Sequence, residues 1–205
     1  LPSTGWVYLD YGPQTILSGV SRAVVSLWFR KLYYSGVPWV AADEALLSRN
    51  VLGGRHFDKK KQANRRAQVI IGTSATTVAS WTSNTDLAVF NNGQATELVV
   101  VFDGTQPDNA RRLQIVVNGI NITALGTFSG TIPATLTSPS LGTWQIGAAG
   151  GANTARSIAI DEVAIWTGVR VMPDTIGEVL WNRGIPARLD RTELGTPPVW
   201  LRFEG

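Results

Sequence analysis

Residues Ile158–Trp166 read IAIDEVAIW, two adjacent carboxylates inside an otherwise apolar run. The β-branched character and length of this run suit a strand, so the placement of Asp161 and Glu162 decides what the strand is for. In a regular strand successive side chains point to opposite faces. Asp161 and Glu162 therefore cannot address one substrate together while the strand stays regular. Two and four residues beyond Glu162 stand Ala164 and Trp166, and beyond Asp161 stand Val163 and Ile165. Neither face gains a second carboxylate, whereas retaining and inverting glycosidases need two carboxyl groups flanking the bond. The reading is structural: Asp161 accepts backbone N–H groups or an indole N–H, and Glu162 faces solvent or a groove.

Working outward, the remaining periodicity is also β. Val24–Phe29, Ala67–Ile71, Glu97–Phe102, Leu113–Val117 and Thr143–Gly147 are short runs bounded by Gly, Asn, Asp or Pro, as strands are. Val7–Leu9 and Val199–Phe203 read as strands near the two ends, neighbours in one sheet. Asn118-Gly119 separates IVV from INI, which predicts a type I′ hairpin because both central residues need positive φ. Asp103-Gly104 closes the preceding strand and opens a loop. One helix is predicted, over Pro173–Gly184. It has apolar residues at 176, 179 and 180, Pro and Asp in the first turn, and Gly184 as the left-handed stop. Residues 126–143 read as a loop or irregular edge. Many short strands and one late helix predict an all-β, two-sheet antiparallel sandwich in a single domain over 1–205.

Composition narrows the chemistry. The 205 residues are 44% hydrophobic and 16% charged, an ordinary globular balance without a run of the ~20 apolar residues that a membrane helix needs. Cysteine is absent, which excludes disulfides, thiolate catalysis and Cys-based metal sites. A single histidine, His56, excludes multi-histidine metal centres. The net charge of +3 arises mainly from one segment holding Arg55, Lys59, Lys60, Lys61, Arg65 and Arg66. Its simplest reading is a solvated loop. Its functional reading is a patch for an anionic partner, an acidic protein surface rather than nucleic acid, because aromatics do not interleave across it.

Three segments in order carry a family resemblance: ELVVVFDG at 97–104, LQIVVNGINI at 113–122, and IDEVAIWTGVRVMPDTIGEVLWNRG at 160–184. Together they resemble the concanavalin A-like jelly-roll superfamily, in its laminin-G-like and pentraxin-like branch. VSLWF at 25–29 resembles that family's early core strand. Asp103, Gly104, Asn118, Gly119 and Asp161 match its structural signature, and the resemblance implies a fold role for each. The glycosidases of the superfamily carry Glu-x-Asp-x-Glu, which this strand lacks. Residues 186–205 read as an extension returning a strand to the sandwich. Its ending is similar to laminin-G-like virion proteins of tailed bacteriophages.

The resulting expectation is a non-enzymatic virion structural protein that decorates or cements a capsid or tail. Other virion proteins would be its partners, and it would form a homo-oligomer such as a trimer. A secreted carbohydrate-binding or adhesion module is the alternative, with extracellular localisation. Eight tryptophans favour core packing, but Trp39 and Trp81 lie outside the clearest strands and are the candidates for stacking on sugar rings. No catalytic residues and no cofactor are expected. Calcium is the one metal left open, because Asp58, Asp108, Asn109 and Asn153 offer oxygens, though not the six to eight that the ion requires in one cluster.

Overall fold

The computed structural model describes residues 9–13, 16–31, 44–51, 54–61, 66–72, 78–91, 93–136, 143–146, 158–184, 189 and 194–202. With strands numbered in chain order, seven form one antiparallel sheet. Its order is β1 (Leu9–Pro13), β11 (Thr143–Ile146), β3 (Glu44–Val51), β4 (Gly54–Lys61), β5 (Ala67–Gly72), β6 (Val78–Ser83) and β10 (Gly126–Ser129). Six more form the second sheet, ordered β13 (Val199–Leu201), β12 (Ile158–Thr167), β2 (Arg22–Lys31), β7 (Ala95–Asp103), β8 (Leu113–Val117) and β9 (Ile120–Asn121). The result is the two-sheet jelly-roll sandwich expected from the strand pattern.

Alternation along the strands builds the core between the sheets. Val25, Leu27 and Phe29 of β2 and Leu98, Val100 and Phe102 of β7 meet Val69, Ile71 and Trp81 of the facing sheet. The opposite face of the six-stranded sheet is buried as well. Val24, Val99, Val101, Val116, Ala164 and Trp166 pack there against Ile176 and Leu180 of the helix α2 (Pro173–Trp181). That is why β2 and β7 read as continuous apolar runs, whereas β6 alternates between covered and open positions. A strand covered on both faces has no polar side to display.

Turn chemistry agrees with the sequence at its strongest signal. Asn118 and Gly119 both hold positive φ, 50° and 77°, and the Asn118 carboxamide oxygen accepts the Glu97 N–H at 2.9 Å. Asp103 is a hub: its carboxylate accepts from the Thr105 N–H and hydroxyl, the Gln106 amide and the Arg22 guanidinium. Burial pushes this carboxyl up, but the hydrogen bonds from Thr105, Gln106 and Arg22 outweigh it and bring its pKa to about 2. A side chain at Gly104 would collide with the Ala134 backbone, so only glycine fits beneath that strand.

Four expectations are corrected. The strands near the two termini occupy different sheets, since β1 pairs with β11 and β13 with β12. The helix leaves α geometry at Asn182, two residues before Gly184, because Asn182 and Arg183 already hold positive φ, 38° and 58°, ahead of Gly184 at 90°. A second, single-turn helix, α1, spans Asn109–Arg112 and is capped by the Asp108 carboxylate at the Arg111 N–H. Within 126–143, Gly126–Ser129 is not a loop but β10, at one edge of the seven-stranded sheet.

Candidate functional site

The carboxylates of IAIDEVAIW do not sit in a regular strand. Asp161 pairs with Trp28 and Ala164 with Ser26, so Glu162 and Val163 together oppose the single residue Leu27. This is a β-bulge. Glu162 takes the extra step in the left-handed region, at φ 49°, and its N–H donates to the Asp161 Oδ1 at 2.7 Å. The Glu162 carboxylate is buried, not solvent-facing. Its Oε2 accepts the Trp200 indole N–H at 2.6 Å and its Oε1 the Arg202 Nε at 2.8 Å. The Arg202 guanidinium also lies over the Trp200 ring, 5.3 Å from its centroid. The indole acceptor expected at Asp161 is therefore Glu162, because the bulge turns that side chain toward β13.

The bulge borders a small recess on the helix-bearing face of the six-stranded sheet. Register builds it from two cross-strand rows: Ala95–Arg30–Ala159 and, beside it, Glu97–Trp28–Asp161. The recess has a volume of about 210 Å³ and is lined by Trp28, Arg30, Ala95, Ala159 and Asp161, with Phe29. Trp28 is nearly covered and stacks on Trp181, their centroids 5.1 Å apart and their planes 9° from parallel. Its ring is thus held in place where it lines the recess. Arg30 is exposed on a strand whose preceding seven residues, Ala23–Phe29, are all buried. Within the second row, Glu97 is fully buried with Ser26 Oγ 3.5 Å from its Oε1. A second cavity, of about 280 Å³, lies between the start of α2 and Leu194 and is lined mainly by Val171, Met172, Ile176 and Val179.

The residues singled out from the sequence fall elsewhere. Arg55, Lys59, Lys60 and Lys61 all lie on β4, which is flanked by β3 and β5. The solvated-loop reading is thereby replaced by an interior strand of the seven-stranded sheet. Arg66 precedes β5 and is half-buried, while Arg65 and Trp39 lie outside the described residues. Trp81 is no sugar platform: it is fully buried, and its indole N–H donates to the Thr123 carbonyl at 2.9 Å. Asp108 and Asn109 use their side chains on α1 and on the Gly130 and Ile132 backbone. Among the described residues no three His, Cys, Asp or Glu side chains converge as a metal cluster, and no helix is long and apolar enough to cross a membrane.

Sequence reasoning missed Arg30, Ala95 and Ala159 and read Trp28 as core alone. The available signal was the abrupt change from VVSLWF to Arg30-Lys31 at the end of β2. Only the pairing of three strands shows that two alanines flank that arginine.

No protein-family model matches the sequence, and no curated protein does. Solved structures do match by shape. The chain is similar to a native heptameric SAP-like pentraxin from Limulus polyphemus, with a TM-score of 0.55 and 12% identity over 100% of this chain and 89% of that one. It is similar to the CBM40 of the Ruminococcus gnavus IT-sialidase bound to alpha2,3 sialyllactose, with a TM-score of 0.58 and 10% identity over 85% and 92%. The fold is a jelly-roll sandwich. The binding domain of Botulinum neurotoxin DC, in complex with rat synaptotagmin II, matches with a TM-score of 0.54 and 12% identity over 81% of this chain and 36% of that chain.

Proposed function

We propose that this chain is a non-enzymatic recognition module that binds glycans. The observation that carries the reading is the recess beside the bulge, where an indole held by stacking, a guanidinium and a carboxylate line one shallow opening. Aromatic surface with a few convergent polar groups is the usual makeup of a small-ligand site. The reading also draws on the fate of the acids. Glu162 is tied to Trp200 and Arg202, and Asp161 holds the bulge, so neither stands as one of two carboxyl groups across an open cleft. A further support is the similarity in fold to a carbohydrate-binding module whose length the match nearly spans. Screening the full chain against a glycan array, with hydrolysis of the hits followed in parallel, tests this. Retained binding without product is expected. Turnover of a bound glycan, or no binding to any glycan, overturns it.

A second reading places the module on a virus particle, as a decorating or cementing protein. Its support is the similarity of the C-terminal stretch to tailed-phage virion proteins and the basic run that includes Arg55, Lys59, Lys60 and Lys61, a charge suited to an acidic lattice. Co-sedimentation with purified particles and a homo-oligomer in light scattering, such as a trimer, are its expected results. A monomer that stays in the supernatant counts against it.

A further inference from the structure

The recess is lined by one guanidinium, one carboxylate and otherwise apolar side chains, and that set restricts what fits. Arg30 stands between Ala95 and Ala159 on the neighbouring strands. Methyl groups on both sides neither bond the guanidinium nor cover it, and no described residue forms an ion pair with it. One row away, Asp161 has its Oδ1 fixed by the Glu162 N–H, so the bulge sets the carboxylate's direction. Trp28, locked by its stack on Trp181, lines the same space. At about 210 Å³ the space falls below the roughly 300 Å³ at which pockets for drug-sized ligands begin, so it holds one sugar ring and not a chain.

We propose that this recess takes a single sugar residue bearing a carboxylate, with Arg30 selecting the acid and Asp161 accepting from the sugar's hydroxyls. The proposal rests on the glycan-binding reading above and names its ligand class. A guanidinium presents a planar fork that matches a carboxylate at two points, and a sugar hydroxyl uses only one arm of it. A compact anion such as phosphate brings Arg30 a partner but offers Asp161 no ring hydroxyls. A sugar ring carrying both a carboxylate and hydroxyls can serve both residues. The bulge thus acquires a second consequence: the left-handed step at Glu162 anchors β13 and orients Asp161 toward the ligand.

The test titrates the full chain with a methyl glucuronide, the methyl glycoside of N-acetylneuraminic acid, methyl glucoside and inorganic phosphate, following indole fluorescence and amide shifts of β2 and β12. At least one acidic sugar is expected to bind ten-fold or more tightly than methyl glucoside and phosphate, with added salt weakening it. Arg30→Ala is expected to abolish that preference, and Arg30→Lys to restore part of it. Ala159→Leu, which fills the recess without touching the charge, is expected to block binding. Unchanged urea midpoints of the Arg30 variants show that folding is not the cause, since Arg30 is exposed. Binding of acidic and neutral sugars alike, insensitive to Arg30→Ala and Ala159→Leu, overturns the site while leaving the glycan reading intact. Preferential binding of phosphate overturns the ligand class. Failure of every sugar here and of every glycan on the array overturns both.

Discussion

Glu162 holds a backbone conformation that costs a non-glycine residue roughly 1–2 kcal/mol, and it does so because its carboxylate answers two donors at once. Removing the carboxylate leaves the Trp200 indole N–H without its acceptor, a loss of about 1–3 kcal/mol. Glu162→Ala is therefore expected to lower the urea midpoint by a corresponding amount. Glu162→Gly should be less harmful than Glu162→Ala by up to about 1 kcal/mol, because glycine accepts positive φ. This reverses the usual order in a strand, and equal effects of the two would show that the backbone step carries no strain. Asp103 acts at the same scale through protonation. Its folded pKa of about 2 lies below the unfolded value of 3.8, so the unfolded chain binds more protons between those values. Stability is accordingly complete above about pH 4 and is lost as pH falls through 2, by roughly 1–2 kcal/mol. Asp103→Asn should remove this component, which acid titration of the unfolding free energy would show as a flatter slope.

At the scale of elements, α2 owes its position to a missing side chain. A Cβ at Gly177 would lie 2.7 Å from Val116 Cγ1 and 2.8 Å from the Gly119 carbonyl oxygen, so the helix sits directly on β8 and its hairpin. Helix propensity favours alanine over glycine by about 1 kcal/mol, while overpacking costs about 1–3 kcal/mol. Gly177→Ala is expected to destabilise on balance, read as a lower denaturation midpoint and a disturbed near-ultraviolet signal from the Trp28–Trp181 stack. A stabilised variant would mean that α2 is not seated as closely as the contact implies. From the sequence, Gly177 reads only as a weak point in the helix. The same logic separates the hairpin from the bulge. Asn118-Gly119 is legible because the turn's requirement for positive φ is met by the two residues themselves. The bulge at Glu162 is not legible, because glutamate has no intrinsic preference for that conformation and the donors stabilising it lie 38 and 40 residues away.

Across the whole molecule, the six-stranded sheet is shared by two hydrophobic clusters, one against the facing sheet and one beneath α2. Neither cluster can lose its packing without exposing strands that serve the other. A single cooperative unfolding transition is therefore expected, with far- and near-ultraviolet signals coinciding. Two separated transitions would divide the chain into independent parts. By itself the sequence determined the strand-rich sandwich, the Asn118-Gly119 hairpin, the Asp103-Gly104 corner and the presence of the late helix, all consequences of side-chain periodicity and local backbone preference. Only the tertiary structure decided that Trp81 is core, that the basic run lies on an interior strand, and that Arg30 shares a recess with Asp161. Those placements depend on which strands become neighbours, and neighbours are chosen by the burial of apolar surface over the whole chain. In the same way Asp161 and Glu162 are separated not by regular alternation but by a bulge, with one carboxylate turned to the recess and the other to the C-terminal strand.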